Sequence, residues 1–139
     1  MSNQLASAIQ EICAAHDNDR TRMMDIVREV QKRFGCVSGE AMTAIAERVG
    51  AHRVEVQSVV SFYAFLSSRP QGKVVIRVCD DIIDRIKGES TVATAFRHAL
   101  RIDFGETTAD GVFTLVHTPC IGMCDQAPAA LVNDTVFTE

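Results

Sequence analysis

The hydrophobic period of this chain changes once, at Ser67-Ser68-Arg69-Pro70-Gln71-Gly72, and that change limits most of what the chain can fold into. Ahead of it, apolar residues recur every three or four positions, the spacing of one helix face. Behind it they gather in short β-branched runs, the signature of buried strands. The stretch itself is polar and rich in turn residues, so it reads as a linker. Residues 1–66 are expected to form a small helical bundle, and residues 73–139 an α/β unit with helices packed on a mixed sheet.

Four helices are expected in the first part. Leu5, Ala8, Ile9, Ile12 and Cys13 mark one, with Ser2 or Asn3 as its cap. After the polar break His16-Asp17-Asn18-Asp19, a second carries Met23, Ile26, Val27, Val30 and Phe34 and is ended by Gly35. Ser38 can cap a third, with Met42, Ile45, Ala46 and Val49 inward and Gly50 closing it. A fourth carries Val56, Val59, Val60 and Tyr63 and runs through Phe62 and Phe65 toward Ser67. The apolar faces exceed what so small a bundle buries alone, so this part is expected to serve contact. In the second part, strands are expected at Val74–Val78 and Val112–Val116, and a hairpin at Ala129–Val132 and Val136–Phe137. Helices fall at Ile82–Ile86 and Thr91–Leu100, the longer one turning Val92, Ala95, Phe96 and Ala99 inward.

Both unexplained cysteine loops follow a strand. Val74–Val78 runs into Cys79 and the acidic Asp80, Asp81 and Asp84, while Val112–Val116 leads to T-P-C-I-G-M-C-D-Q-A-P, which holds Cys120 and Cys124 around Gly122. Two strand-then-cysteine loops in one small unit are the pattern of an iron–sulfur site, yet the first loop offers one cysteine and a carboxylate where two cysteines are usual. Five cysteines are an odd number, against a complete disulfide framework. Cys13 lies on a helix stripe and Cys36 follows a helix-ending glycine, so both read as packing residues. Alone, C-x3-C leaves other readings open. A dithiol redox pair has two intervening residues, and zinc needs two further ligands, for which only His117 stands near the loop. The acidic cluster can equally be a solvated surface.

Composition excludes several classes. A net charge of −4 with no basic stripe argues against nucleic acid. No apolar run is long enough to cross a membrane, and the N-terminus lacks the features of a signal peptide, so a cytoplasmic location is expected. Phosphate-binding loops, nucleophile elbows and paired-histidine metal helices are absent from the sequence.

V-C-D-D-I-I-D-R-I-K-G, R-I-D-F-G-E-T-T-A-D-G-V-F-T-L and T-P-C-I-G-M-C-D-Q-A-P together resemble the thioredoxin-like [2Fe–2S] subunit family of complex I and of NAD-linked hydrogenases and formate dehydrogenases. V-Q-K-R-F-G and V-V-S-F-Y-A-F-L resemble that family's helical segment, so the likeness spans nearly the whole chain. In spacing, the chain is most similar to the N-terminal domain of the diaphorase flavoprotein of NAD-reducing soluble hydrogenases, and it stops early enough to be a piece of such a protein. The resemblance implies a helical bundle followed by a thioredoxin-like ferredoxin domain. It also implies a [2Fe–2S] cluster held by C-x4-C and C-x3-C, onto which Cys79, Cys120 and Cys124 map, with Asp84 at the fourth position.

The implied role is electron transfer beside a flavoprotein subunit or domain that binds NAD and FMN, with further iron–sulfur subunits as partners and no substrate chemistry in this chain. Two outcomes are open at the fourth position. Asp84 binds iron as a harder, weaker donor than thiolate, or the cluster is lost and the fold remains as a docking domain. A zinc-stabilised binding module is a third reading.

Overall fold

The structure is a computed structural model that describes residues 3–138. It falls into two compact units, divided between Pro70 and Gln71.

The first unit is built from α1 (Asn3–Ala15), α2 (Met23–Phe34), α3 (Gly39–Val49) and α4 (Arg53–Phe62), with a 3-10 turn at Arg20–Arg22. Each helix buries the stripe that its sequence period marks: Ile9, Ile12 and Cys13 from α1, Ile26, Val27 and Val30 from α2, Ile45 and Val49 from α3, Val56 and Val60 from α4. Of the two residues expected to cap α1, Ser2 lies outside the described residues and Asn3 is already helical. Ser38 caps α3 as expected, its Oγ accepting the Ala41 N–H at 3.2 Å. Gly35 and Gly50 end α2 and α3 at φ 77° and 66°, a left-handed conformation that favours glycine. Cys13 and Cys36 are both buried, so they act as packing residues.

Two expectations fail at helix ends. Phe34 is half out of the core, and α4 stops at Phe62 instead of continuing to Ser67. Tyr63 is extended and partly exposed, and Phe62 is 79% exposed. The cause is a competing set of hydrogen bonds to α2. Gln31 donates its side-chain N–H to the Phe65 carbonyl at 3.0 Å and accepts the Ser67 N–H at 2.9 Å. Val37 N–H reaches the Ser67 carbonyl at 2.8 Å. Leaving the helix lets the buried Leu66 join the core.

The second unit is a five-stranded mixed sheet in the order β2-β3-β1-β4-β5. Its strands are β1 (Val74–Cys79), β2 (Glu106–Thr107), β3 (Phe113–Thr118), β4 (Ala130–Val132) and β5 (Thr135–Phe137), with α5 (Ile82–Lys87) and α6 (Glu89–Leu100) between β1 and β2. β1 runs parallel to β3 and antiparallel to β4, and β4 and β5 form the expected hairpin. Ile76, Val78 and Leu115 make the buried centre, covered by Val92, Phe96 and Leu100 from α6 and by Ile102 and Phe104 after it. Parallel pairing sets Cys79 opposite Thr118, so the loops that follow β1 and β3 open side by side at one end of the sheet.

Gly72 stands where the chain enters β1. Its N–H donates to Thr114 Oγ1 at 2.7 Å, and a Cβ there would lie 2.5 Å from the Val112 carbonyl oxygen. Backbone cannot swing aside as a flexible side chain does. Gly72→Ala is therefore expected to destabilise this unit by about 1–3 kcal/mol, the usual range for overpacking. Urea unfolding of the variant checks this. An unchanged midpoint would mean that the approach of Gly72 to β3 is looser than described.

Candidate metal centre

The site lies at the carboxyl ends of β1 and β3, where open α/β sheets place their ligands. Each strand ends in a residue that the pairing holds in place, and the chain then breaks into a short loop. After β1, Asp81 caps α5 by accepting the Ile82 N–H on Oδ1 at 2.8 Å. Asp80 is drawn to the surface by Arg85, whose Nε donates to it at 2.6 Å, and that contact holds the Asp80 carboxyl below the usual range. One helical turn into α5, Asp84 faces inward and is only 1% exposed. After β3, Gly122 adopts φ 81°, which folds the loop back and brings Cys120 and Cys124 together.

The donor atoms fall into two pairs. Sγ of Cys120 and Sγ of Cys124 lie 3.1 Å apart, with the Gly122 N–H pointing at the Cys120 sulfur at 3.3 Å. Cys79 and Asp84 are both buried, and the Asp84 carboxylate lies near enough to push the Cys79 thiol up. The loop after β3 covers Cys79, whose thiol donates to the Pro119 carbonyl oxygen at 3.7 Å, and the nearby Ile121 and Asp81 backbone N–H groups partly offset the upward shift of that thiol. Asp84 Oδ1 also accepts the Ala129 N–H at 3.0 Å. Residues 79, 84, 120 and 124 thus share one sheet end.

Electrostatics reflects the crowding of anionic groups. The Cys124 thiol is pushed up to about 11, first by its hydrogen bond with Cys120, then by partial desolvation and by the Asp81 and Asp84 charges. Burial raises Cys79, and the neighbouring Asp84 carboxylate adds to it. Thiols held this way keep their protons at neutral pH unless a cation replaces them.

A [2Fe–2S] group, two irons with two protein ligands each, matches donors in two pairs. The chemistry of the fourth donor fits as well. A carboxylate taken out of water is costly unless it is paired or coordinates a metal. Asp84 has the Ala129 N–H, and among the described residues no ion pair with a basic side chain is seen. A cation at this place would compensate it.

His117, the histidine nearest the loop, stacks on Phe104 with ring centroids 3.6 Å apart, and its Nδ1 lies 3.8 Å from Glu89 Oε1. Sequence reasoning missed Asp81, which it placed only in an acidic surface cluster. Asp81 Oδ2 sits 3.9 Å from Sγ of Cys124, and its donor atom joins those of Cys120 and Cys124 within 4.8 Å of one another. The available signal was its position directly before α5, where a capping aspartate is held in a fixed orientation.

The chain is similar to several known proteins. The chain is 36% identical over 132 residues to the NAD-reducing hydrogenase HoxS subunit alpha of Cupriavidus necator, covering 95% of this chain and 22% of that one. It is 35% identical over 134 residues to the E-type subunit of the NADH-quinone oxidoreductase of Pseudomonas aeruginosa, covering 96% of this chain and 81% of that protein. The corresponding NADH-quinone oxidoreductase protein of Escherichia coli strain K12 is 34% identical over 127 residues, or 91% of this chain and 76% of that protein. Among solved structures, a chain of the NAD+-reducing [NiFe]-hydrogenase in its H2-reduced state superposes with a TM-score of 0.65 at 25% identity, over 81% of this chain and 19% of that one. The chain thus spans most of these NADH-quinone oxidoreductase relatives but under a quarter of the hydrogenase chains. Residues 9–139 match the thioredoxin-like [2Fe-2S] ferredoxin family, and the chain belongs to that family.

Proposed function

We propose that this chain is the electron-transfer subunit or domain of an NAD(H)-oxidoreductase complex in the cytosol, working beside a flavoprotein that binds NAD and FMN and passing electrons toward further iron–sulfur subunits. The convergence of the two strand-end loops carries the reading, because it sets Cys79 with Asp84 and Cys120 with Cys124 at one sheet end. These four residues would hold the cluster. When bound, a [2Fe–2S] group supplies a one-electron site between a two-electron donor and later carriers.

The residues around it have separate tasks. N–H groups of Ile121 and Asp81 at Cys79, and of Gly122 at Cys120, stabilise added negative charge on sulfur and so raise the reduction potential. Burial of Cys79 and Asp84 keeps water from one side of the site, while Cys120 opens the other side to the surface. Beside it, α5 presents Ile82 and Ile86 to solvent, an apolar face suited to a partner subunit. Membership of the family weighs against a cofactor-free docking domain. Among the described residues no helix is long and apolar enough to cross a membrane.

Asp84 distinguishes this chain's site. Oxygen is a harder and less covalent donor to iron than sulfur, so a cluster held with Asp84 should leave more readily. Asp84→Cys is expected to slow chelator-driven loss of the visible absorbance by about tenfold, on the scale of single-ligand effects. Anaerobically reconstituted protein is to be compared with the variant, with EPR of the dithionite-reduced samples as the check on cluster type. An absence of any iron–sulfur signal in both proteins would refute the reading.

A further inference from the structure

Asp81 is not needed by the four-residue set above, yet its carboxylate is the third member of a tight donor group with Cys120 and Cys124. The sulfurs are 3.1 Å apart, and Asp81 Oδ2 is 3.9 Å from Sγ of Cys124. Around tetrahedral zinc, with metal–sulfur bonds of about 2.3 Å and metal–oxygen bonds of about 2.0–2.2 Å, neighbouring donors sit roughly 3.3–3.8 Å apart. The three atoms, all within 4.8 Å of one another, therefore need shifts of about 1 Å or less to share one ion. Neighbouring acids are engaged elsewhere, Asp80 with Arg85 and Asp84 with the Ala129 N–H. Cys120 is exposed, while Asp81 and Cys124 are half-buried, which leaves an approach for the ion and a fourth position for water.

We propose that Asp81, Cys120 and Cys124 form a mononuclear site for a thiophilic divalent cation of the zinc class, filled in protein that carries no cluster. Two thiolates and one carboxylate suit zinc, cobalt(II) or cadmium, and poorly suit magnesium or calcium, which prefer oxygen. This site shares two cysteines with the cluster reading but needs neither Cys79 nor Asp84, so the two occupants exclude each other. Loading with zinc would then block cluster insertion.

Cobalt(II) is the probe, added anaerobically to the full chain after reduction and removal of metal. About one equivalent should bind with sulfur-to-cobalt absorbance in the near ultraviolet and visible bands of tetrahedral type, and zinc should displace it. Asp81→Asn keeps a helix-capping side chain and should weaken cobalt binding by about tenfold or more, while Cys79→Ser should leave it within about twofold. If Asp81→Asn disturbs folding by circular dichroism, Asp81→Ser reads the same quantity with another capping residue. The proposal is overturned by absence of the sulfur-to-cobalt band, by wild-type affinity in the folded Asp81 variant, or by loss of binding in Cys79→Ser. The cluster reading is judged separately, by iron and sulfide in reconstituted protein.

Discussion

Cys120→Ser is expected to reduce the iron retained after anaerobic reconstitution by about tenfold or more, with the fold intact. Cys120 is exposed, so its replacement leaves no cavity and should change stability by no more than about 0.5 kcal/mol. The chemical loss is larger. A serine hydroxyl stays protonated at neutral pH, and its oxygen is a harder donor than the thiolate that iron–sulfur groups prefer. The Gly122 N–H would also lose the sulfur at which it points. Cys36→Ser, in the other unit, serves as the control for general damage. Iron and sulfide assays on both variants check the prediction. Equal iron in Cys120→Ser and wild type would place any iron elsewhere. In an assembled complex, unchanged NADH-linked activity in Cys120→Ser would instead support a docking role.

Leu115→Ala carries the largest expected cost in stability. Leu115 is fully buried at the middle of β3 and packs with the buried Ile76 and Val78 at the centre of its core. Removing such a side chain typically costs about 2–5 kcal/mol, and the upper end applies where neighbours cannot close the gap. Here the neighbours belong to paired strands, Ile76 directly across from Leu115, which restrains collapse. A small domain has a total stability of about 5–15 kcal/mol, so the unit should be largely lost at moderate denaturant. Because β3 runs directly into the Cys120 loop, reconstitution should fail together with folding. Urea unfolding followed by circular dichroism measures the first effect and iron content the second. A variant as stable as the parent would mean that the sheet is not what holds the loops together.

The course of the chain is legible where periodicity has no rival. Val74–Val78 and the Val112 run could only be buried strands, and the residues after them had to leave the sheet at its ends. That places Cys120 and Cys124 in the loop after one strand and leaves Cys79 at the very end of the other. Their convergence is not readable from spacing, since it depends on the parallel pairing of strands some forty residues apart. The end of α4 escapes the sequence because Tyr63 and Phe65 continue the helical period, whereas Gln31, far away in the chain, takes the hydrogen bonds that stop it. β2, two residues long, has no pattern to detect and exists only through its pairing with β3.

The acidic loop shows the same limit at finer scale. Asp80, Asp81 and Asp84 look equivalent as a sequence, yet one is held outward by Arg85, one caps α5 beside Cys124, and one is buried against Cys79. Their roles are assigned by partners that lie elsewhere in the chain. Ala129, whose N–H donates to Asp84, is forty-five residues away.

Iron and acid-labile sulfide per chain, measured on the full protein after anaerobic reconstitution and desalting, test the central claim most directly. About two irons and about two sulfides per chain are expected, with both falling together in Cys79→Ser and in Cys120→Ser. Iron near one per chain without sulfide, or values that ignore both substitutions, would contradict a two-iron site shared between the two loops.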